Sequence, residues 1–443
     1  MNFLKNKKVI ITVILLSIII TTFVIIIKTK DTSLNKISKD DITKFSLDIT
    51  GATDTSTAFQ KMVDSYPSGS IIKLPKGLYN LKNTVKMKDG IKLIGEKGVI
   101  LTGNGKNTLF TLGNKDSFKG IEFQNCSTAL SVTDKKALTI TDCKFTKNIS
   151  YAAINLSTAA DISITNSTFY AIRKYGVLID NDSTNIFIDK NNFDNPKVFG
   201  GYDKEQISGH IYSLSGSNIK VTNNIIKNSG GQGVIFGFNS TTGKGTKNSL
   251  ASKNYCEGNG QEGLTVYGGD KKVSSGNSII SNTSKNNRFN QIEIWQSNNN
   301  IVKNNIVEES LKGIGNLGAI CLYDTWSTVC TGNKISSAQN NGIDITAGSS
   351  YCTITGNTIS NTNGKKDSNK NEMGNGILLD TNGKSDPHHI TIKNNKINSS
   401  AKIIDKSGIY STSNKNQHNK IETNTITGYK TGLHEYAKMT IGK

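Results

Sequence analysis

The chain has 443 residues, with 42 glycines, 4 prolines and a formal net charge of +19. So little proline excludes a disordered proline-rich chain, and 7% aromatics excludes a large conventional aromatic core, while abundant glycine and asparagine suit short strands joined by tight turns. The positive charge favours anionic wall or polysaccharide surroundings. Nucleic acid is not expected, because arginine, the bidentate reader of phosphates and bases, occurs only as Arg173 and Arg288.

Three lysines lie in residues 1–8, and Val9 to Ile27 is then uncharged and long enough to cross a bilayer. No small-x-small cleavage site precedes Lys28, Thr29 and Lys30, so residues 1–30 read as an uncleaved signal anchor with its lysine flank in the cytoplasm. The membrane is then one partner, and the rest of the chain lies outside the cytoplasm on a bacterial surface. A cleaved signal peptide is the alternative and would make the protein secreted. Residues 31–44 read as a polar tether.

In residues 45–119, Asp54 or Thr55 is a candidate N-cap before Ala58, Phe59, Met62 and Val63, which share one helical face. Two strand-like runs follow, SIIKLPKGLYNL and GIKLIGEKGVILTG. A short amphipathic helix here would cover the exposed apolar end of a solenoid. The helix of DTSTAFQKMVDS, followed by LPKGLYNL and IKLIGEKG, resembles the N-terminal part of pectate-lyase-superfamily proteins. That resemblance implies an extracellular, polysaccharide-active β-helix. None of the polygalacturonase catalytic motifs is present, so it transfers no site residues.

From residue 120 to 443 one unit recurs, closed by Asp142, Asn166, Asn192, Asn224, Asn254, Asn282, Asn305, Asn333, Asn357, Asn395 and Asn424. The spacing is that of stacked repeats. Asparagine suits the corner because it tolerates the left-handed conformation and its amide can bond the next coil. The chain is therefore expected to be all-β, a right-handed parallel β-helix. Loops at 195–207, 239–248 and 361–375 should project from it. The six cysteines, Cys126, Cys143, Cys256, Cys321, Cys330 and Cys352, show no CxxC or metal spacing and read as buried thiols.

A second register starts at Gly176, Gly233, Gly263, Gln291, Ala319, Gly342, Gly376, Gly408 and Gly432, each followed by an apolar residue. Period-two alternation puts those apolar residues inside and two rows outside. The first outer row is Leu178, Ile235, Thr265, Glu293, Cys321, Asp344, Leu378, Tyr410 and His434. The second is Asp180, Gly237, Tyr267, Trp295, Tyr323, Thr346, Asp380, Thr412 and Tyr436. Tyr267, Trp295 and Tyr323 should stand on consecutive coils beside Glu293 and Asp344, with Asp380 further along, as stacking faces and acids for a sugar chain. Cross-strand stabilisation of an exposed sheet would give the same aromatic row.

Glu293 and Asp344, two coils apart, have backbones about 10 Å apart, so leaning carboxyls would fall near the ~6.5–9.5 Å of an inverting pair. Asp324 on the coil between leaves a closer, retaining pair with Glu293 open. The first expectation is thus a membrane-tethered glycoside hydrolase needing no cofactor, with Glu293, Asp344 and Asp324 as acids. A uronate lyase or epimerase is the rival; it would need calcium or Lys/Arg against a uronate, and the outer rows hold no Lys or Arg. Asp180 with Asp182 is a candidate cation pair that reads more simply as capping. Asp386-Pro387-His388 resembles the Asp-Pro-His of alginate epimerases but precedes a strand outside that family's context. His210 and His434 read as structural or solvent-facing. The third expectation is a non-catalytic glycan-binding or tailspike-like protein. Sugar identity and oligomeric state are not legible.

Overall fold

A computed structural model describes residues 34–36, 39–196, 208–311, 314–315, 317–362, 374–412, 418–434 and 440–442. The apolar segment 9–27, most of the loops at 195–207 and 361–375, and Tyr436 lie outside them. Among the described residues no helix is long and apolar enough to cross a membrane. The expected parallel β-helix is present, with successive coils paired in parallel along three ladders. One runs through Ile140, Ile164, Ile188 and Val221. A second runs through Phe145, Phe169, Phe193 and Ile226. The third runs through Val177, Ile211, Val234, Leu264, Ile292, Ile320 and Ile343.

Helix Ser56–Ser65 closes the described N-terminal end of this rod. Phe59, Met62 and Val63 are fully buried, and Phe59 meets Phe110 and Tyr79 edge-on at 5.8 and 6.1 Å. Thr55 is the N-cap residue but makes no capping bond; Asp54 accepts the Ser56 amide instead, at 3.0 Å. The far end of the segment read as a tether is folded against this cap. Leu34–Lys36 pairs with Ile71–Lys73, and Ile42 and Phe45 in helix Lys39–Phe45 pack on the core.

The interior changes character along the rod. Phe123, Phe145, Phe169 and Phe193 stack face to face at 5.1, 4.7 and 4.2 Å. The same inner row continues as Ile226, Cys256, Ser284 and Val307. All six cysteines are buried free thiols, as their apolar positions imply.

Two demands that the sequence suggested for one corner asparagine fall on consecutive residues. The left-handed conformation belongs to Asn166, Lys190, Asn223, Lys253, Ser281, Asn304, Gly332, Gly356, Asn394 and Thr423. The residue after each turns inward, and the same holds after Asp142, whose φ is 54°, which corrects three members of the ladder: Cys143, Ser167 and Asn191 occupy it, while Asp142, Asn166 and Asn192 do not. From Asn224 to Asn424 each amide oxygen accepts the backbone N–H and the side-chain NH₂ of the previous coil's asparagine; from Asn305 to Asn333 both bonds are 2.9 Å. The NH₂ also donates to a strand carbonyl, as Asn333 does to Val302 at 3.0 Å.

Truncating Asn333 would leave the Asn305 N–H and the Val302 carbonyl of the preceding coil buried without this partner, at about 1–3 kcal/mol each. Asn333→Ala is therefore expected to lower the thermal unfolding midpoint by several degrees, and Asn333→Ser by less, because Ser167 already accepts the Cys143 amide in this ladder at 3.1 Å. Equal midpoints for wild type and Asn333→Ala would show that the ladder does not hold the coils.

Candidate active site

The third ladder carries the outer rows in the expected register. Thr265, Glu293, Cys321, Asp344 and Leu378 are consecutive rungs, and so are Tyr267, Trp295, Tyr323, Thr346 and Asp380. One coil was missed: Tyr212 stands between Leu178 and Ile235. Its strand, Gly209–Ser213, starts beside a long insertion and has His210 where other coils have glycine, which hides the pattern. His210 is buried, bonds the Lys227 carbonyl through Nε2 at 2.7 Å, and is pushed down to about 4 by burial, so it is a neutral structural histidine.

The first row faces outward yet is not open to water: Glu293 is 7% exposed, Asp344 2% and Cys321 0%. The row beside it explains this, with Gln232, Glu262, Asn290, Gly318 and Asn341 flanking it on one side and the aromatic row on the other. Among these is the acid that the sequence reading missed. Glu262 and Glu293 both line a cleft of about 320 Å³ with Gln232, Thr265, Tyr267, Phe289 and Trp295. Burial raises Glu293 well above the ordinary carboxylate range, and the charge of Glu262 raises it further. Glu262 is pushed up to about 7 by burial, against a bond from Gln232 Nε2 at 3.2 Å. Glu293 Oε1 accepts from Asn290 Nδ2 at 2.7 Å. Two neighbouring buried carboxyls with unequal proton affinities are the arrangement in which one serves as acid and the other as base.

The coils under this wall are held by directional bonds. A Cβ on Gly263 would collide with Ser284 Oγ and Asn287, so the glycine beside Glu262 is required by close approach. On the next coil Gln291 fills that corner: its Oε1 accepts from the Asn287 amide at 2.9 Å, and its Nε2 donates to Glu309 at 3.1 Å. Glu309 is fully buried, accepts the Gln339 amide at 2.8 Å and is raised to about 7 by burial. It is a structural carboxyl that nothing in the sequence pattern singles out.

The other candidate acids fall elsewhere. Cys321 separates Asp344 from Glu293 along the row. Asp344 is raised to about 8 by burial and then by the charge of Asp380, with Glu309 a smaller cause, and its Oδ1 has no hydrogen-bond partner among the described residues. Asp324 turns away in a left-handed corner and pairs with Lys272 at 2.7 Å, so the closer Glu293–Asp324 pair is not formed. Asp380 accepts from Thr412 Oγ1 at 2.7 Å. Asp180 takes both bonds of the Asn239 amide, and Asp182 pairs with Lys244, so this pair braces the hairpin of Phe238–Asn239 and Lys244–Lys247. Among the described residues no group of three or more His, Cys, Asp or Glu side chains could hold a metal ion.

The aromatic row divides by role. Trp295 and Tyr323 stack at 3.7 Å and 8°. Tyr323 is buried between Trp295 and the Lys384 ammonium, 5.0 Å from its ring centre, so it backs Trp295 and is not itself a platform. Tyr267 stands edge-on to Phe238 at 5.1 Å. Trp295 and Tyr267 remain as the cleft's flat faces.

The family described as right handed beta helix region matches residues 80–277 and 242–426. No curated protein sequence matches the chain significantly. Among solved structures, the mannuronan C-5 epimerase AlgE4 A-module of Azotobacter vinelandii is similar with a TM-score of 0.54 at 12% identity, over 91% of this chain and 99% of that one. The Dettilon tailspike protein gives 0.55 at 14%, over 74% and 66%. Tailspike protein 3 of bacteriophage CBA120 gives 0.52 at 13%, over 90% and 61%. At these identities the likeness is one of fold.

The buried pair has a consequence for stability. Glu262 keeps its proton up to about pH 7 in the folded chain against an ordinary value of 4.5. Between those values the folded state binds more protons than the unfolded state, so stability falls as pH rises through that window. Glu262→Gln should match wild type in unfolding midpoint near pH 4 and exceed it near pH 8. A midpoint difference that does not change with pH would refute the shift.

Proposed function

The chain belongs to the right-handed β-helix family, a pectate-lyase-like fold, and on that fold and the cleft we propose that it is a polysaccharide-active enzyme, a glycoside hydrolase. The reading is carried by one observation: Glu262 and Glu293 are buried together in the wall of a cleft whose flat faces are Trp295 and Tyr267. Glu293, kept protonated by burial and by its neighbour, donates its proton to the glycosidic oxygen as the bond from C1 breaks. Glu262, ionised, either takes the proton of the water that adds to C1 or attacks C1 itself. Trp295, backed by Tyr323, offers its face to a sugar ring. Asp344, behind Cys321, and Asp324, paired with Lys272, are given no part in proton transfer. The apolar segment 9–27 would hold the rod on the outer side of a membrane.

A second reading, a uronate lyase or epimerase, draws on the fold likeness to the mannuronan epimerase module. It requires a cation against the substrate carboxylate. Lys272 and Lys384 stand beside the aromatic row, but the first is paired with Asp324 and the second lies over Tyr323.

Incubation with a panel of polysaccharides separates these readings: hydrolysis gives new reducing ends without unsaturated uronate, a lyase gives the unsaturated product, and epimerisation cuts nothing. Glu293→Gln should lower turnover by about 10²–10⁴-fold, the range of a lost general acid. The acidic limb of the pH–rate profile should lie near 7, where Glu262 loses its proton. Full turnover in Glu293→Gln, or a Glu262→Gln variant that keeps the limb, would end the assignment.

A further inference from the structure

Around the corner from the cleft the rod carries a second row of rings. The strand that ends at Tyr323 passes through Asp324 and Thr325 to Trp326, which is 43% exposed. On the following coils stand Tyr351, 51% exposed, then His389 and His418. Tyr351 and His389 stack at 4.6 Å and 15°, and His389 and His418 at 5.0 Å and 27°. Trp326 meets Tyr351 edge-on at 6.1 Å. The rings therefore form a strip along the rod axis, one coil apart.

The backbone beneath them makes the choice of residues unusual. This corner is left-handed on every coil from Ala137 to His418, with φ of 63° at the first and 56° at Tyr351, His389 and His418. On earlier coils it is occupied by residues that tolerate the conformation: Asp161, Asn185, Asn218, Asn248, Gly276 and Asn299. A bulky ring such as that of Tyr351 at positive φ costs of order 1–3 kcal/mol, while histidine enters this region more readily. Asn185 and Asn218 show the inexpensive solution, donating to Asp161 and Asn185 at 2.9 and 2.5 Å. The amides already supply a coil-to-coil bond, so the stacking of the rings on one another is not needed to hold this corner. What the rings add is a flat, partly apolar strip facing water, which suits the C–H faces of a sugar chain. Its width of one ring, with Asn299 and Ser327 as row-mates, fits a single strand better than the broad apolar centre of a protein interface.

We infer that Trp326, Tyr351, His389 and His418 form a second docking strip for a polysaccharide strand, separate from the catalytic cleft and around one corner from it. The choice of ligand class rests on the cleft reading, but the strip can be tested alone. In the full chain, the triple variant Tyr351→Asn, His389→Asn and His418→Asn installs the residue that the same row carries upstream, so folding is preserved or improved. Affinity electrophoresis through gels holding polygalacturonate, alginate or a neutral β-glucan should show wild type retarded in at least one gel. The triple variant should lose that retardation, with apparent Kd weakened about tenfold, while cleavage of short oligosaccharides is kept. The chain has two tryptophans, so in a Trp295→Phe background the remaining fluorescence reports Trp326 directly and should change as polymer is added. Equal retardation of wild type and triple variant, or no retardation of wild type in any gel, overturns the strip. Glu262→Gln should show the opposite pattern, retarded but inactive, so the two assignments fail separately.

Discussion

The bond from each coil's corner to the amide oxygen of the next coil's asparagine sets the geometry of this molecule. A parallel sheet alone fixes the spacing of the coils, but a one-residue slip would turn every side chain to the opposite face. The amides from Asn191 to Asn424 prevent it, because each satisfies a specific N–H and a specific strand carbonyl on the coil before it. A slipped coil would leave those groups buried without partners. The left-handed residue just before each amide then turns the chain into the next strand.

Once the register is held, a side chain three or more coils away has a predictable place, and the site follows from it. Trp295 lies over Tyr323 because residues at one position of successive coils must overlie each other. Glu262 and Glu293 lie on neighbouring coils of one wall for the same reason. Their raised proton affinities are a product of burial, and for Glu293 burial comes from the two flanking rows that close over the first. A carboxyl on an outer face is thus desolvated without entering the core.

The sequence was most legible where periodicity carried the information. The coil pattern, the capping helix with Phe59, Met62 and Val63, and the alignment of Glu293 with Cys321 and Asp344 could all be read from alternation. Two kinds of fact could not. Alternation gives the face of a residue but not its depth, so Tyr323 read as a platform and is a buried backing ring. It also says nothing of the residues just before the strand, where Glu262 and Asn290 enter the wall. The dipeptide Glu262-Gly263 was the available signal: a glycine that must sit against Asn287 brings the acid before it close to the next coil. Asp344 and Asp324 were drawn toward Glu293 by spacing alone, while Cys321 and Lys272 decide their actual surroundings.

The exchange of stacked phenylalanines for Cys256, Ser284 and Val307 along one inner row gives the rod two kinds of interior. Apolar rings tolerate small rotations, since dispersion has little directional preference. The hydroxyl of Ser284, donating to the Gln291 carbonyl at 2.7 Å, permits far less. The rod is therefore keyed, not merely filled, at the coils that carry the paired glutamates. A substitution deep beneath the cleft at Ser284 or Gln291 would reach the surface as a misaimed acid before it was felt as a loss of folding.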